Sequence, residues 1–385
     1  MPVPYWRLSG FYFFYFAALG AMLPYWSLYL RDRGFNPVEI GELSALLVGT
    51  KIIAPNLWGW LADHTGKSLR IIRIASFFAA LLFTGFLFAQ NYFWFAWTTV
   101  AFSFFWNSAL PQFEAATLFH LKSDSHRYSQ IRLWGSIGFI VTVLGIGRLL
   151  DSHPIALLPV VIAALLSLIW GVALLTPDAH AGSHGLEPVG IMKILKNPEV
   201  LAFLLVYMLL QMAHGPYYIF YSIYLKQYQY SATMTGLLWS LGVLAEIVLF
   251  IYMQRLLKRF SLRQILLLSI LLAALRWLLI ARCADYVWLL FFAQLLHAAT
   301  FGGAHVAAIH LVHLYFGRQH QGKGQALYSS LSFGLGGMLG SLYSGYYWES
   351  MGSEFVYSMA SLVCVIAFII AYLWVGRENS QHEAH

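Results

Sequence analysis

Charge is what this chain has least of. Only 10% of its 385 residues are Asp, Glu, Lys or Arg, while 60% are hydrophobic, against roughly 25% charged in a soluble domain. So small a polar complement excludes a soluble globular protein, and lipid must be the solvent for most of the apolar surface, as a mean hydropathy of +0.67 also requires. Cysteine is nearly absent: Cys283 and Cys364 stand alone. That excludes a disulfide framework and leaves both as small apolar packing residues. No Walker lysine loop follows a strand pattern and no paired-ligand metal spacing occurs, so neither ATP as an energy source nor a cofactor or metal is expected. No nucleophile and base can be paired either, and an enzyme is not expected. A small-residue cleavage site is missing after the first apolar run, which ends in WSLYL, so that run is expected to remain as a span.

Long apolar runs are what the chain has in quantity. A span needs about 20 apolar residues, and twelve runs are predicted near 9–30, 38–62, 71–89, 92–121, 130–150, 155–175, 199–225, 234–255, 262–281, 286–316, 324–347 and 355–375. The net charge of +7 does not point to nucleic acid, because the basic residues sort by loop instead of gathering on one face. With a cytoplasmic N-terminus, fifteen Lys/Arg fall in the inner loops and tails and five (Arg31, Arg33, Arg148, Lys226, Arg282) in the outer loops. Lys51, Arg132 and Arg276 lie within spans and complete the 23. This asymmetry obeys the positive-inside rule, puts both termini in the cytoplasm and suits a bacterial inner (plasma) membrane.

The longest polar stretch, TPDAHAGSHGLEPVGIMKILKNP, divides the runs six and six. The expected organisation is an N-terminal six-helix bundle over residues 1–176, a cytoplasmic linker over 177–198 and a C-terminal six-helix bundle over 199–385. The halves repeat at an offset of about 194 residues: SLR at 68–70 recurs at 261–263, AAL at 79–81 at 273–275, and Tyr92-Phe-Trp94 as Tyr286-Val-Trp288. Such internal symmetry is the way membrane transporters are built. Aligning Gly41 with Gly236 sets Lys51 opposite Glu246, each ten residues or about 15 Å of helix further on.

Charges inside spans cost about 2.5–3.5 kcal/mol each at the membrane centre and so need partners or water. The set is Lys51, Glu114, Arg132, Glu246 and Arg276, and its excess of one positive charge suits an anionic passenger. Two readings stay open: permanent pairs, Glu114 with Arg132 and Glu246 with Lys51 or Arg276, or pairs that exchange as protons and substrate arrive. His214, His297 and His305 are candidate proton relays, the last two on one helical face, while His310 and His313 lie nearer the cytoplasmic end. Tyr217, Tyr218 and Tyr221 follow Gly215-Pro216, which is expected to interrupt the seventh span and line a site. Glycines 334, 336, 337 and 340, with 135 and 138, predict close helix packing.

The loop between the second and third spans, GWLADHTGK, carries Gly59, Asp63, Gly66 and Lys67, and with twelve spans around it the chain resembles the major facilitator superfamily over essentially its whole length. The resemblance implies an all-α membrane protein of twelve transmembrane helices in two pseudo-symmetric six-helix bundles. It also implies a small-molecule substrate, no nucleic-acid partner and a functional monomer in the lipid bilayer. In that loop Gly59 permits close approach, Gly66 a tight turn, and Asp63 accepts hydrogen bonds from a helix N-terminus when the cytoplasmic gate is shut. Within the superfamily, LPYWSLYL, RLWGSIGF, YSATMTGLLWSLGVLAEI, Arg276-Trp277 and QLLHAATF resemble the phenylpropionate permease group, proton symporters related to the lactose permease. That likeness implies substrate binding by Glu114 and Arg132, and proton coupling through Glu246, Arg276 and His297. Thr300 stands where the lactose permease pattern has an acid that carries the proton, so proton coupling here falls to Glu246, Glu114 or a histidine, or is absent. Import of a small aromatic or other organic carboxylate with a proton is therefore expected, with sugar, oligosaccharide or nucleoside symport as the alternative, and efflux or a non-transporting sensor behind both.

Overall fold

Helix ends in this chain follow local sequence signals. The computed structural model describes residues 3–121, 124, 127–178 and 191–376, apart from the side chains of Asp63 and Arg318. Asn36-Pro37-Val-Glu39 opens the second span with a reciprocal cap: the Glu39 backbone N–H donates to Asn36 Oδ1 at 3.0 Å, and the Asn36 N–H donates to Glu39 Oε2 at 2.9 Å. Ser261 and Gln264 repeat the device at the ninth span, and each arrangement satisfies two otherwise orphan donors. The chain divides into two compact units, Met1–Leu186 with Tyr230–Leu237, and Glu187–Gln229 with Leu238–His385.

The first unit contains α1 (Tyr5–Asp32), α2 (Pro37–Gly49), a 3-10 turn (Thr50–Ile52), α3 (Ala54–Thr65), α4 (Ser68–Phe83), α5 (Tyr92–Leu121), α6 (Tyr128–Leu150) and α7 (Leu158–Leu175). Helix α1 packs on α6 and α7, and α4 on α5 and α7. The α1/α6 crossing is close because Gly138 lies against the backbone of Phe13, where a Cβ could not fit. Arg73 of α4 closes the end of α7, donating from Nε to the Ala173 carbonyl at 3.2 Å and from Nη2 to that of Thr176 at 2.8 Å. A cation at a helix C-terminus is favourable there because the last carbonyls carry partial negative charge.

In the second unit come α8 (Met192–Leu195), α9 (Pro198–Gln227), α10 (Ala232–Arg259), α11 (Leu262–Arg282), α12 (Val287–Leu295), a π turn (Ala298–Gly303), α13 (Ala304–Ser329), a second π turn (Ser330–Gly336), α14 (Gly337–Trp348) and α15 (Ser353–Trp374). The first turn of α10 is counted with the first unit. Here α9 packs on α14 and α15, and α11 on α15. Spans seven, eleven and twelve thus repeat the pairing of spans one, five and six, and nine with twelve repeats three with six. The arginine device recurs too: Arg263 of α11 donates to the Tyr372 carbonyl near the end of α15 at 2.6 Å.

Nine helices among the described residues are long and apolar enough to cross a membrane. Among the predicted spans, the second, fourth and eleventh are not of that number, each for a visible reason. The second is cut at Thr50–Ile52. The fourth, α5, is 30 residues long but carries Asn107, Gln112 and Glu114. The eleventh is divided by a π turn, and it joins the tenth through Gly317, whose φ of +63° breaks the helical path.

Pro216 does not interrupt the seventh span as its sequence suggests, because α9 runs unbroken from Pro198 to Gln227. Proline cannot bond to the carbonyl four residues back, here that of Met212. That carbonyl faces Gly340, where a Cβ would come within 2.5 Å of the oxygen, and Gly340 in turn meets Gly215. A glycine Cα–H against the freed carbonyl is a weak substitute bond, and the Tyr357 hydroxyl donates to the Pro216 carbonyl at 3.3 Å. Packing therefore tolerates the proline without a break.

Candidate functional site

The interruption that the seventh span lacks occurs in the second, at Lys51. The ring of Pro55 would collide with the carbonyl of residue 51, four positions earlier, so α2 stops at Gly49, a 3-10 turn carries Lys51, and α3 starts with Pro55 in its first turn. Lys51 is half-buried and its ammonium has no hydrogen-bond or ion-pair partner among the described residues. Further along the same unit Arg132 of α6 and Glu114 of α5 form an ion pair, Nε to Oε1 at 3.9 Å, with side chains 32% and 37% exposed. A pair so long and so open contributes at most about 1 kcal/mol, loose enough to exchange partners. The Arg132 guanidinium lies 3.9 Å from the Phe16 ring centroid and 5.6 Å from that of Tyr12. The Tyr12 hydroxyl donates to Thr117 Oγ1 at 3.3 Å, and Phe11 stacks on Phe113 at 3.6 Å. The result is an aromatic surround for a guanidinium and a carboxylate.

The second unit holds a tighter cluster. Arg276 of α11 is fully buried. Its Nη1 donates to His297 Nδ1 at 3.0 Å and lies 3.5 Å from Thr300 Oγ1, its Nη2 donates to Gln294 Oε1 at 3.2 Å, and its guanidinium covers the rings of Tyr217 (4.3 Å) and Trp277 (4.7 Å). Among the described residues no carboxylate lies within ion-pair distance of it. An arginine cannot accept, so His297 Nδ1 must present its lone pair and the ring proton sits on Nε2. By the same logic the atom of Gln294 facing Arg276 is oxygen. It also accepts from the Tyr217 hydroxyl at 3.0 Å, while Gln294 Nε2 and Arg276 Nε find no partner among the described residues.

The sequence-predicted candidates of this unit converge on the cluster. His214 donates from Nδ1 to the Leu210 carbonyl at 2.7 Å and meets Trp277 edge-on at 4.9 Å. Tyr218 stacks on His214 at 5.9 Å, and Tyr221 lies 5.0 Å from Tyr217. His297, Phe301 and His305 form a near-parallel stack at 5.4 and 6.2 Å, and His305 Nδ1 is 3.0 Å from the Tyr328 hydroxyl. This face is built on a π turn, a feature frequent at functional sites. Glu246 of α10 lies beside it, since a Cβ on Gly302 would come within 3.0 Å of the Glu246 Cγ. Gln294 is not among the sequence candidates; a neutral amide in an apolar run carries no charge signal.

In the loop after the second span, Gly66 ends α3 in the left-handed conformation at φ +65°, which only glycine adopts freely. A Cβ on Gly59 would come within 3.3 Å of Gln112 Nε2, so α3 passes close to α5. Lys67 is exposed, and the side chain of Asp63 lies outside the described residues. Nothing in the residue pattern marks out Asp151, just beyond α6. Its Oδ1 accepts from the backbone N–H groups of Ala232 (2.9 Å) and Thr233 (3.3 Å), and its Oδ2 from the Thr233 hydroxyl at 2.5 Å. It caps α10 from 82 residues away. The Thr233 hydroxyl above all, then the two backbone donors and Arg148, holds the Asp151 carboxyl below the usual carboxylate range.

Two helical units, one with a half-buried lysine on a broken span and the other with a buried arginine against a bulged one, define an integral membrane transporter. The chain belongs to the MFS_1 like family, whose model matches residues 5–359. It is 29% identical to the probable 3-phenylpropionic acid transporter of Escherichia coli (strain K12), over 94% of this chain and 96% of the relative. It is also 28% identical to the maltose permease of Geobacillus stearothermophilus, over 97% and 95%. Among solved structures, the nucleoside transporter NupG superposes with a TM-score of 0.84 at 18% identity, over 97% of this chain and 99% of that one, a likeness of fold.

Proposed function

We propose that this transporter carries a small organic carboxylate, aromatic in the favoured case, together with a proton. The observation that supports it is that each unit has, within a predicted span, a cation without a carboxylate within 4 Å among the described residues: half-buried Lys51 in the first and buried Arg276 in the second. A buried unpaired charge is costly, and an anionic passenger would relieve that cost during each cycle. In the first unit Lys51 and Arg132 would hold the carboxylate with Glu114 beside them, and in the second Tyr217, Tyr218, Tyr221 and His214 would contribute substrate contacts. Glu246 would take up the proton, with Arg276, His297 and His305 as its electrostatic surround. Thr300 has a hydroxyl in place of a carboxyl and does not titrate as a proton carrier. The likeness to the 3-phenylpropionic acid transporter supports this passenger.

Neutral sugars or nucleosides form a second reading. The maltose permease is nearly as similar, and the groups around Arg276, namely Gln294, Thr300 and Tyr217, suit hydroxyls as well as carboxylates. The inner membrane, both termini cytoplasmic, a functional monomer, bundles over 1–176 and 199–385 joined by 177–198, and a cytoplasmic gate at Gly59, Asp63, Gly66 and Lys67 complete the proposal.

Labelled 3-phenylpropionate, maltose and uridine offered to proteoliposomes with and without an inward proton gradient test it. The expected result is gradient-driven accumulation of 3-phenylpropionate alone. Glu246→Gln should abolish that accumulation and leave counterflow exchange intact. Gradient-driven accumulation undiminished in Glu246→Gln would remove Glu246 from proton coupling, and accumulation of maltose or uridine instead would overturn the carboxylate.

A further inference from the structure

Asn107 has no part in the reading above, yet it is built into the break that carries Lys51. It lies along α5, is nearly fully buried, and directs both amide hydrogens at the second span: Nδ2 donates to the Leu47 carbonyl at 2.9 Å and to Thr50 Oγ1 at 2.8 Å. A carbonyl can only accept, so the atom facing Leu47 is nitrogen, and the orientation of the amide is fixed. The Thr50 hydroxyl lies 3.0 Å from both the Leu47 carbonyl and Ser103 Oγ of α5. On the far side of the break, Asn56 Nδ2 donates to the Ile52 carbonyl at 3.0 Å. The backbone around Lys51 is therefore tied on both sides, while its ammonium has no partner among the described residues.

We infer that Asn107 is a positioning residue for Lys51: by fastening Leu47 and Thr50 to α5 it holds the 3-10 turn that aims the ammonium, and so sets the preference for an anionic passenger. This rests on the role given to Lys51 above. Removing a buried amide with two hydrogen bonds should re-aim the lysine without removing its charge.

The test uses the full chain in proteoliposomes with labelled 3-phenylpropionate. Asn107→Ala should raise KM about five- to tenfold with Vmax kept within about twofold, a split that a general loss of structure would not give. Asn107→Ser, which keeps one donor, should fall between Ala and wild type and serves if Ala unfolds, with folding judged by an unfolding temperature within about 3 °C of wild type. Lys51→Gln should raise KM at least as far, and the double variant Lys51→Gln/Asn107→Ala no further, because both changes act through one group. An unchanged KM in both Asn107 variants beside a raised one in Lys51→Gln overturns this inference alone, as do additive penalties in the double variant. An unchanged KM in Lys51→Gln overturns the role of Lys51 and this inference with it.

Discussion

Asp151 illustrates how one side chain can join elements that the sequence keeps far apart. Its carboxylate caps α10, and its acidity is raised by that contact. A carboxyl with a depressed folded value adds stability that is fully present above the unfolded value, about 3.9, and is lost as pH falls through the lower folded one. Purified protein in detergent should therefore unfold about 1 °C higher than Asp151→Asn at pH 6, and the gap should close as the pH is taken below about 4. A gap independent of pH would show that the ionised form is not what α10 requires. Single residues are legible in the sequence when their chemistry is conspicuous. Glu114 and Arg132 stand out as charges in apolar runs, and they do pair. Gly66 marks a turn that only a residue without a side chain makes easily. Asp151, Asn107 and Gln294 are not legible, because a loop aspartate and two buried amides acquire meaning only from partners in other helices.

Elements follow a similar division. The sequence places a proline in both the second and the seventh spans, at Pro55 and Pro216, and only the first breaks its helix. What separates them is tertiary: Gly340 and Tyr357 accommodate the backbone around Pro216, whereas the carbonyls near Pro55 are taken by Asn107 and Asn56 in a broken geometry. Proline inside a helix costs about 3 kcal/mol or more, so either solution needs such help. Pro55→Ala permits the second span to run through as one helix. The unfolding temperature of that variant should rise, while uptake of 3-phenylpropionate falls about tenfold because Lys51 turns to another face. Uptake equal to wild type would mean that the break is incidental to transport. The π turns leave no trace in the apolar pattern, since one additional residue in AATFGG or SLSFGLG changes no composition.

Across the whole molecule, legibility is highest. Low charge, long apolar runs and basic inner loops already describe a membrane protein, and the internal repeat appears again as repeated packing, α1 on α6 and α7 matching α9 on α14 and α15. The two native cysteines report on the proposed orientation. Cys283 is half-buried just past the end of α11 and Cys364 is buried within α15. A membrane-impermeant maleimide applied to intact cells should label Cys283 and leave Cys364 unmodified; labelling of Cys283 only in inverted vesicles would reverse the orientation.

The π turn at Ala298–Gly303 carries a consequence for how this chain can change over time. Each residue lost from a regular helix swings everything beyond it by about 100°, but the π turn already holds one residue in excess, so losing a single codon there would close it to an ordinary turn and leave His305 and the rest of α13 facing as before. This span can therefore lose a residue at its bulge without turning its far half, a tolerance that the regular helices around it lack.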